Sequence, residues 1–158
     1  MQSRLQEQGY EHRVVNASIS GETTAGGLRR LPALLDQHQP DLVIIELGAN
    51  DGLRGYPIVN LRSNLDQLAR LSADAGARVV MLPMEIPPNY GSRYTSGFRQ
   101  SFVKVAEATD SILAPFLLDK VAVNPDLMQA DGLHPTVEAQ PILLDNILPT
   151  ILQTLDSL

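Results

Sequence analysis

Residues 41–47 read DLVIIEL and continue directly into the polar, glycine-rich sequence GANDG. A short run of Val, Ile and Leu bounded by Asp and Gly is typical of a strand that is buried on both faces. Two further runs, residues 12–17 (HRVVNA) and 78–84 (RVVMLPM), have the same character, and a weaker run at 111–118 is interrupted by Pro115. These four segments predict the strands of one buried sheet.

Helical patterns separate the predicted strands. Apolar side chains recur at helical spacing in four segments, residues 28–35, 61–71, 98–106 and 136–158. In the last of these, Pro141 and Pro149 predict a kink or a split into two pieces. Strands that alternate with helices of ~10–15 residues predict an α/β fold, with a parallel sheet and helices on both faces. We expect one such domain over residues 1–158.

Composition excludes several classes of protein. The 158 residues carry 12 Lys and Arg against 18 Asp and Glu, a net charge of −6, which argues against a nucleic-acid partner. The absence of cysteine excludes a disulfide framework, a thiolate nucleophile and a zinc–thiolate cluster. No apolar run approaches the ~18 residues of a membrane span, and the residues after Met1 lack the apolar stretch of a signal peptide.

Polar loops follow the predicted strands, and ligands of open α/β sheets bind beyond the carboxyl ends of the strands. The polar or glycine-rich loops occupy residues 16–24, 48–52, 85–91 and 131–135. We expect them to meet at one rim of the sheet.

Asp131 and His134 are the strongest candidates for a carboxylate–imidazole pair that acts as a general base. Three residues apart in one turn, the carboxylate can accept a hydrogen bond from the imidazole Nδ1–H and leave Nε2 free as a general base. Pro135 is expected at the first position of the next helix, where it would hold the loop rigid. The alternative is a surface histidine beside an aspartate that begins a turn.

Gly21 and the trio Gly48, Asn50 and Asp51 suggest stabilisation of an oxyanion. Glycine lets a backbone N–H approach the substrate closely, and an Asn amide can supply a second donor. Ordinary turn chemistry explains each motif equally well when it is taken alone. Residues 87–94 are either a loop that contacts substrate or only a long connection.

Taken in order, three motifs resemble conserved blocks of the SGNH (GDSL-type) hydrolase family. They are Ser-Gly-Glu-Thr at 20–23, Gly-Ala-Asn-Asp at 48–51 and Asp-Gly-Leu-His-Pro at 131–135. The chain is most similar to the bacterial thioesterase, lysophospholipase and arylesterase branch, through residues 14–21, 27–35, 46–55 and 87–91.

The resemblance implies a flavodoxin-like, three-layer α/β/α domain that hydrolyses small acyl esters or thioesters without a metal or organic cofactor. It assigns Gly21 and Asn50 as oxyanion donors, His134 as general base and Asp131 as the residue that orients the base. Members of this branch are often exported, so the resemblance suggests the periplasm or secretion.

The same resemblance gives the loop at residues 87–94 a role. In that branch the matching segment lines the acyl pocket, which implies that Pro88, Asn89 and Tyr90 contact the substrate.

The chain departs from the family pattern in one respect, because Gly-Asp-Ser, the block that carries the nucleophile, is absent. The family has that block after its first, central strand, whereas this chain opens on a helical pattern at residues 2–8. We therefore expect the central strand and the nucleophile to lie upstream of Met1. Ser18 or Ser20 as a replacement nucleophile is the alternative.

Without a nucleophile the 158 residues are expected to be inactive or nearly so. A sheet without its central strand also exposes strand edges, which predicts instability, closure of the gap or self-association through those edges. The rival functional hypothesis is a non-catalytic domain that binds acyl ligands or a partner. A third hypothesis, a phosphate-binding regulator, is supported by the fold class alone.

Overall fold

A computed structural model describes all 158 residues. The α-helices and strands are α1 (Gln2–Glu7), α2 (Thr24–His38), β1 (Leu42–Ile45), α3 (Ala49–Leu53), α4 (Ile58–Asp74), β2 (Arg78–Met81), α5 (Ser92–Thr109), β3 (Ile112–Leu113) and α6 (Gln140–Leu155). Two short 3₁₀ turns lie at Pro88–Tyr90 and Pro125–Leu127.

The sheet has three parallel strands in the order β1-β2-β3. Val43 of β1 lies opposite Val79 of β2, and the register continues without a bulge. The strands predicted at 41–47, 78–84 and 111–118 are therefore present, although each is shorter than its apolar run. β1 and β3 form the two edges of this sheet.

Helices cover both faces of the sheet, as predicted. Along β2, Val79 and Met81 pack with side chains of α2, α4 and α5, whereas Val80 packs with α1 and α6. This alternation follows from the period of two along a strand. Phe98 and Phe102, both fully buried with ring centroids 5.3 Å apart in an edge-to-face arrangement, lie in the first of these layers. The fold class is α/β with three layers.

The prediction of a strand at residues 12–17 is wrong. This segment forms no backbone–backbone hydrogen bond, and the N–H of Val14 instead donates to the Gln2 side chain. Val14 and Val15 remain exposed. An apolar run becomes a strand only when another strand pairs with it, and none of β1, β2 and β3 does so.

The expectation for Pro135 is wrong, and the alternative of a split at Pro149 is wrong as well. Pro135 does not begin a helix: it pairs with Met128 in an isolated bridge, and the helix begins at Gln140. Pro149 does not split that helix, which continues to Leu155. Proline at this position leaves the carbonyl of residue 145 without its helical donor, and the side chains of both residues are exposed, so water can replace the lost bond.

None of the helices has the length and apolar character needed to cross a membrane.

Candidate active site

Two of the predicted loops are joined directly. The Asn50 side-chain amide donates to the backbone carbonyl of Glu22 across 3.0 Å. Beside that carbonyl, Gly21 has a φ of +75°, a left-handed conformation that favours glycine, and its N–H donates to no group of the chain. Arg54 donates to the Gly21 carbonyl across 3.2 Å. The hydrogen bond therefore attaches Asn50, one predicted oxyanion donor, to the residue that follows Gly21, the other.

Gly48 makes the turn from β1 into α3 possible. Its φ of +122° is strongly unfavourable for any other residue, and a Cβ there would lie 3.1 Å from Phe102 and 3.2 Å from Leu61. The next N–H, of Ala49, donates to the Met84 sulfur across 3.2 Å. The turn is thus held by the core beneath it and by the segment that follows β2.

Asp51 has a different role from the one suggested by its place in the glycine-rich motif. It is only 1% exposed, and its carboxylate accepts from the backbone N–H of Thr24 at 2.9 Å and from the Thr24 hydroxyl. Asn64 donates to the same hydroxyl across 3.0 Å. Both carboxylate oxygens are used within the protein, so Asp51 anchors the loop and does not face a substrate.

Sequence reasoning missed Thr24 and Asn64. Thr24 is the first residue of α2 and follows the N-cap, Thr23. The cap can be recognised in the sequence, because threonine is a preferred N-cap residue, and its side chain accepts from Gly26 N at 3.2 Å. The partnership of Thr24 with Asn64 crosses 40 positions of sequence and leaves no local pattern.

Asp131 and His134 form the pair that their spacing predicts. Asp131 Oδ2 lies 2.7 Å from His134 Nδ1, and Oδ1 accepts from the backbone N–H groups of Leu133 and His134 at 2.9 and 3.0 Å. The hydrogen bond from the His134 ring, followed by those from the two backbone N–H groups, lowers the pKa of Asp131 to about 2. When the imidazole is neutral, an ionised carboxylate at Nδ1 favours the tautomer with its proton on Nδ1, which leaves Nε2 as an acceptor.

Access to the pair is open. The side chains of His134 and Asp131 are 69% and 44% exposed, and Nε2 bonds to no group of the chain. No hydrogen bond or ion pair links the pair with the loops of Gly21 and Asn50. Hydrogen bonds therefore join the first two of the four loops, and the third loop bonds to Leu53, the residue that follows the second loop.

The segment that contains Pro88, Asn89 and Tyr90 is a 3₁₀ turn packed against the end of α3. The Tyr90 hydroxyl donates to the Leu53 carbonyl across 2.7 Å, and the Tyr94 hydroxyl donates to the Tyr56 carbonyl. Pro88 and Asn89 are exposed.

An open depression of about 620 Å³ lies at this position, and its lining includes Ile58, Tyr90, Arg93 and Tyr94. Burial, followed by the charge of Asp51, raises the pKa of Tyr94, so its hydroxyl remains a donor at neutral pH.

No group of three or more His, Asp and Glu side chains is arranged to hold a metal ion.

Comparison with known proteins identifies the family. The model of the GDSL-like lipase/acylhydrolase family matches residues 1–141. This chain belongs to that family. The esterase TesA of Pseudomonas aeruginosa is 50% identical over 151 residues, which are 96% of this chain and 75% of that protein. An arylesterase of Vibrio mimicus is also 50% identical, over 96% of this chain and 76% of the relative.

Solved structures agree with this membership of the GDSL-like family. The crystal structure of the esterase EstA from a Pseudoalteromonas species, inhibited by monoethylphosphonate, is 44% identical. It superposes with a TM-score of 0.94 and covers 98% of this chain and 85% of that one. The family resemblance and the α/β fold expected from the sequence are both confirmed.

Proposed function

We propose that this chain carries the general base and the oxyanion donors of a serine-type hydrolase of acyl esters or thioesters. The observation that carries the proposal is the Asp131–His134 pair, in which one ring nitrogen is held by an ionised carboxylate and the other is free. The same reaction class is supported by the membership of this chain in the GDSL-like lipase/acylhydrolase family and by relatives named as an esterase and an arylesterase.

In the proposed reaction a serine hydroxyl attacks the acyl carbonyl while His134 Nε2 accepts its proton. Asp131 keeps the ring oriented and stabilises the imidazolium that forms. The N–H of Gly21 and the second N–H of the Asn50 amide stabilise the negative charge that develops on the carbonyl oxygen. His134 returns the proton to the leaving group, and water then releases the acid by the same steps.

The nucleophile is the part of the proposal that the 158 residues do not supply. No hydroxyl of the chain is hydrogen-bonded to the His134 ring, and no Gly-Asp-Ser occurs in the sequence. Ser18 and Ser20, the serines closest in sequence to Gly21, are exposed, and neither is hydrogen-bonded to His134. We propose that an additional segment bearing a Gly-Asp-Ser block provides the attacking serine.

The test joins such a segment ahead of Met1 and measures hydrolysis of p-nitrophenyl acyl esters. We expect activity that falls at least about 1000-fold in His134→Ala. His38→Ala, a histidine at the end of α2, is the matched control and should retain activity. A folded extended protein without esterase activity would contradict the proposal.

A second candidate function is acyl-ligand binding without catalysis. The open depression beside Tyr90 and Tyr94 favours it, because an acyl chain could occupy this depression without any nucleophile. Calorimetry with decanoate tests this candidate on the 158-residue chain itself. Binding without saturation in a folded sample would contradict it.

We also propose self-association through the sheet. β1 has a partner on one side only, although core side chains cover both of its faces. Unpaired backbone groups of such an edge readily accept another strand.

A further inference from the structure

The geometry points to Thr24 as a positioning residue that, through the buried Asp51 carboxylate, holds the two proposed oxyanion donors in register. This inference rests on the proposed function, since it concerns the same donors. Thr24 itself is fully buried and touches no solvent, so it can act only through its neighbours.

Three helices meet at the Thr24 hydroxyl. Thr24 begins α2, Asp51 lies in α3 and Asn64 lies in α4. The hydroxyl accepts from Asn64 at 3.0 Å and donates to Asp51, whose second oxygen accepts the Thr24 backbone N–H at 2.9 Å. Every polar atom of this junction that faces the interior therefore has a partner.

The junction is adjacent to both donors. Asn50 precedes Asp51, and Gly21 lies three positions before Thr24. The Asn50 amide is bonded to Glu22, in the loop before α2, and the Asp51 carboxylate to Thr24, the first residue of α2. Two consecutive residues of α3 are thus attached to this loop and to the helix that follows it. One hydrogen bond would leave the loops free to rotate about it, whereas two such attachments fix their relative orientation.

Because Asp51 is buried, its carboxylate requires the hydrogen bonds from Thr24. A carboxylate that is 1% exposed needs a donor for each oxygen, because an unpaired charge is strongly disfavoured away from water. If the Thr24 hydroxyl is removed, one oxygen of Asp51 loses its donor. The first turn of α3 must then shift or admit water, and Asn50 moves with it.

The test uses NMR on the 158-residue chain, with decanoate as the probe. Decanoate titrations follow the backbone amide of Gly21 and the side-chain amide of Asn50, and ¹⁵N relaxation gives backbone order parameters at both residues. In Thr24→Val, which keeps the shape and removes the hydroxyl, we expect decanoate to bind about tenfold more weakly. Order parameters at Gly21 and Asn50 should fall from about 0.85 towards about 0.6.

Two variants separate positioning from general destabilisation. Thr24→Ser restores the hydroxyl and should recover both the affinity and the order parameters. Thr154→Val removes an equally buried hydroxyl, which bonds to the Thr150 carbonyl in α6. It should lower the urea midpoint of unfolding and leave the decanoate response unchanged.

The outcomes distinguish this inference from the proposed function. If decanoate fails to shift Gly21 and Asn50 in the unsubstituted chain, the proposed binding of acyl ligands at these donors is contradicted, while the order parameters still decide the role of Thr24. Unchanged order parameters in Thr24→Val would overturn the inference. Should Thr24→Val not fold, Asn64→Ala removes the third member of the junction, and the same loss of order at Asn50 is required.

Discussion

The Asn50 side-chain amide donates to the Glu22 carbonyl across 3.0 Å, although the two residues lie 28 positions apart. This bond joins the loop before α2 to the turn that follows β1. Gly21 and Asn50, which family resemblance implies to be oxyanion donors, are brought together by it. The arrangement of the site thus depends on a contact between two turns, each of which is unremarkable in sequence.

The pKa of Asp131 should depend on His134. In the folded chain that pKa is about 2, below the ordinary value of 3.8, chiefly because His134 donates to the carboxylate. His134→Ala should raise it part of the way towards 3.8, since the backbone donors of residues 133 and 134 remain. Carboxyl ¹³C shifts across an acid titration measure the change, and His38→Ala is the control.

The sign of the corresponding effect on stability follows from linkage. Because the folded pKa lies below the unfolded one, the pairing of Asp131 stabilises the fold above pH 3.8 and this contribution is lost as the pH falls through about 2. An identical titration curve in His134→Ala would mean that the pair does not form in solution.

Gly48→Ala should destabilise the chain far more than Gly55→Ala. Both glycines have positive φ, +122° and +67°, but only at position 48 would a Cβ meet the core, at 3.1 Å from Phe102. We expect a loss of about 3 kcal/mol in the free energy of unfolding for Gly48→Ala and about 1 kcal/mol for Gly55→Ala. Urea unfolding measures both. Equal losses would contradict close packing beneath the turn.

Amide protection should alternate along β1. The bonds from Arg78 N to Asp41 O and from Leu82 N to Ile45 O show that odd-numbered residues of this segment face β2. The N–H groups of Leu42 and Ile44 therefore point away from β2, towards the free edge.

Hydrogen exchange at two protein concentrations tests the proposed self-association. At low concentration Leu42 and Ile44 should exchange faster than Val43 and Ile45. At high concentration their exchange should slow, because a second strand would pair with the edge, while protection along β2 stays constant. Fast exchange of Leu42 and Ile44 at every concentration would contradict association through β1.

Tyr90→Phe should weaken the attachment of the loop implied to bind substrate. The lost hydroxyl donates to the Leu53 carbonyl across 2.7 Å, so we expect about 1 kcal/mol lower stability and weaker decanoate binding by calorimetry. Tyr56→Phe is the matched control, because the Tyr56 hydroxyl bonds to no group of the chain and the residue is 40% exposed. Equal binding by both variants would exclude a contribution from the Tyr90 anchor.

Much of the fold was predictable because its signals are local. The apolar runs at 41–47 and 78–84 each lie between polar segments, and the helical spacing of α4 and α5 sets one apolar face. The run at 12–17 has the same composition and is not a strand. The composition of a segment indicates that it can form a strand. Pairing also requires a neighbouring strand, which the sequence of one segment cannot specify.

The family, the α/β class and the Asp131–His134 pair could all be predicted from the order of the residues. For the pair, an interval of three residues in one turn is enough to bring the two side chains within hydrogen-bonding reach. The packing of the folded chain was needed to show that Asp51 is a buried anchor bonded to Thr24, and that Asn50 is held by Glu22. These contacts join residues far apart in the chain, so they form only when the layers pack and water leaves the space between the helices.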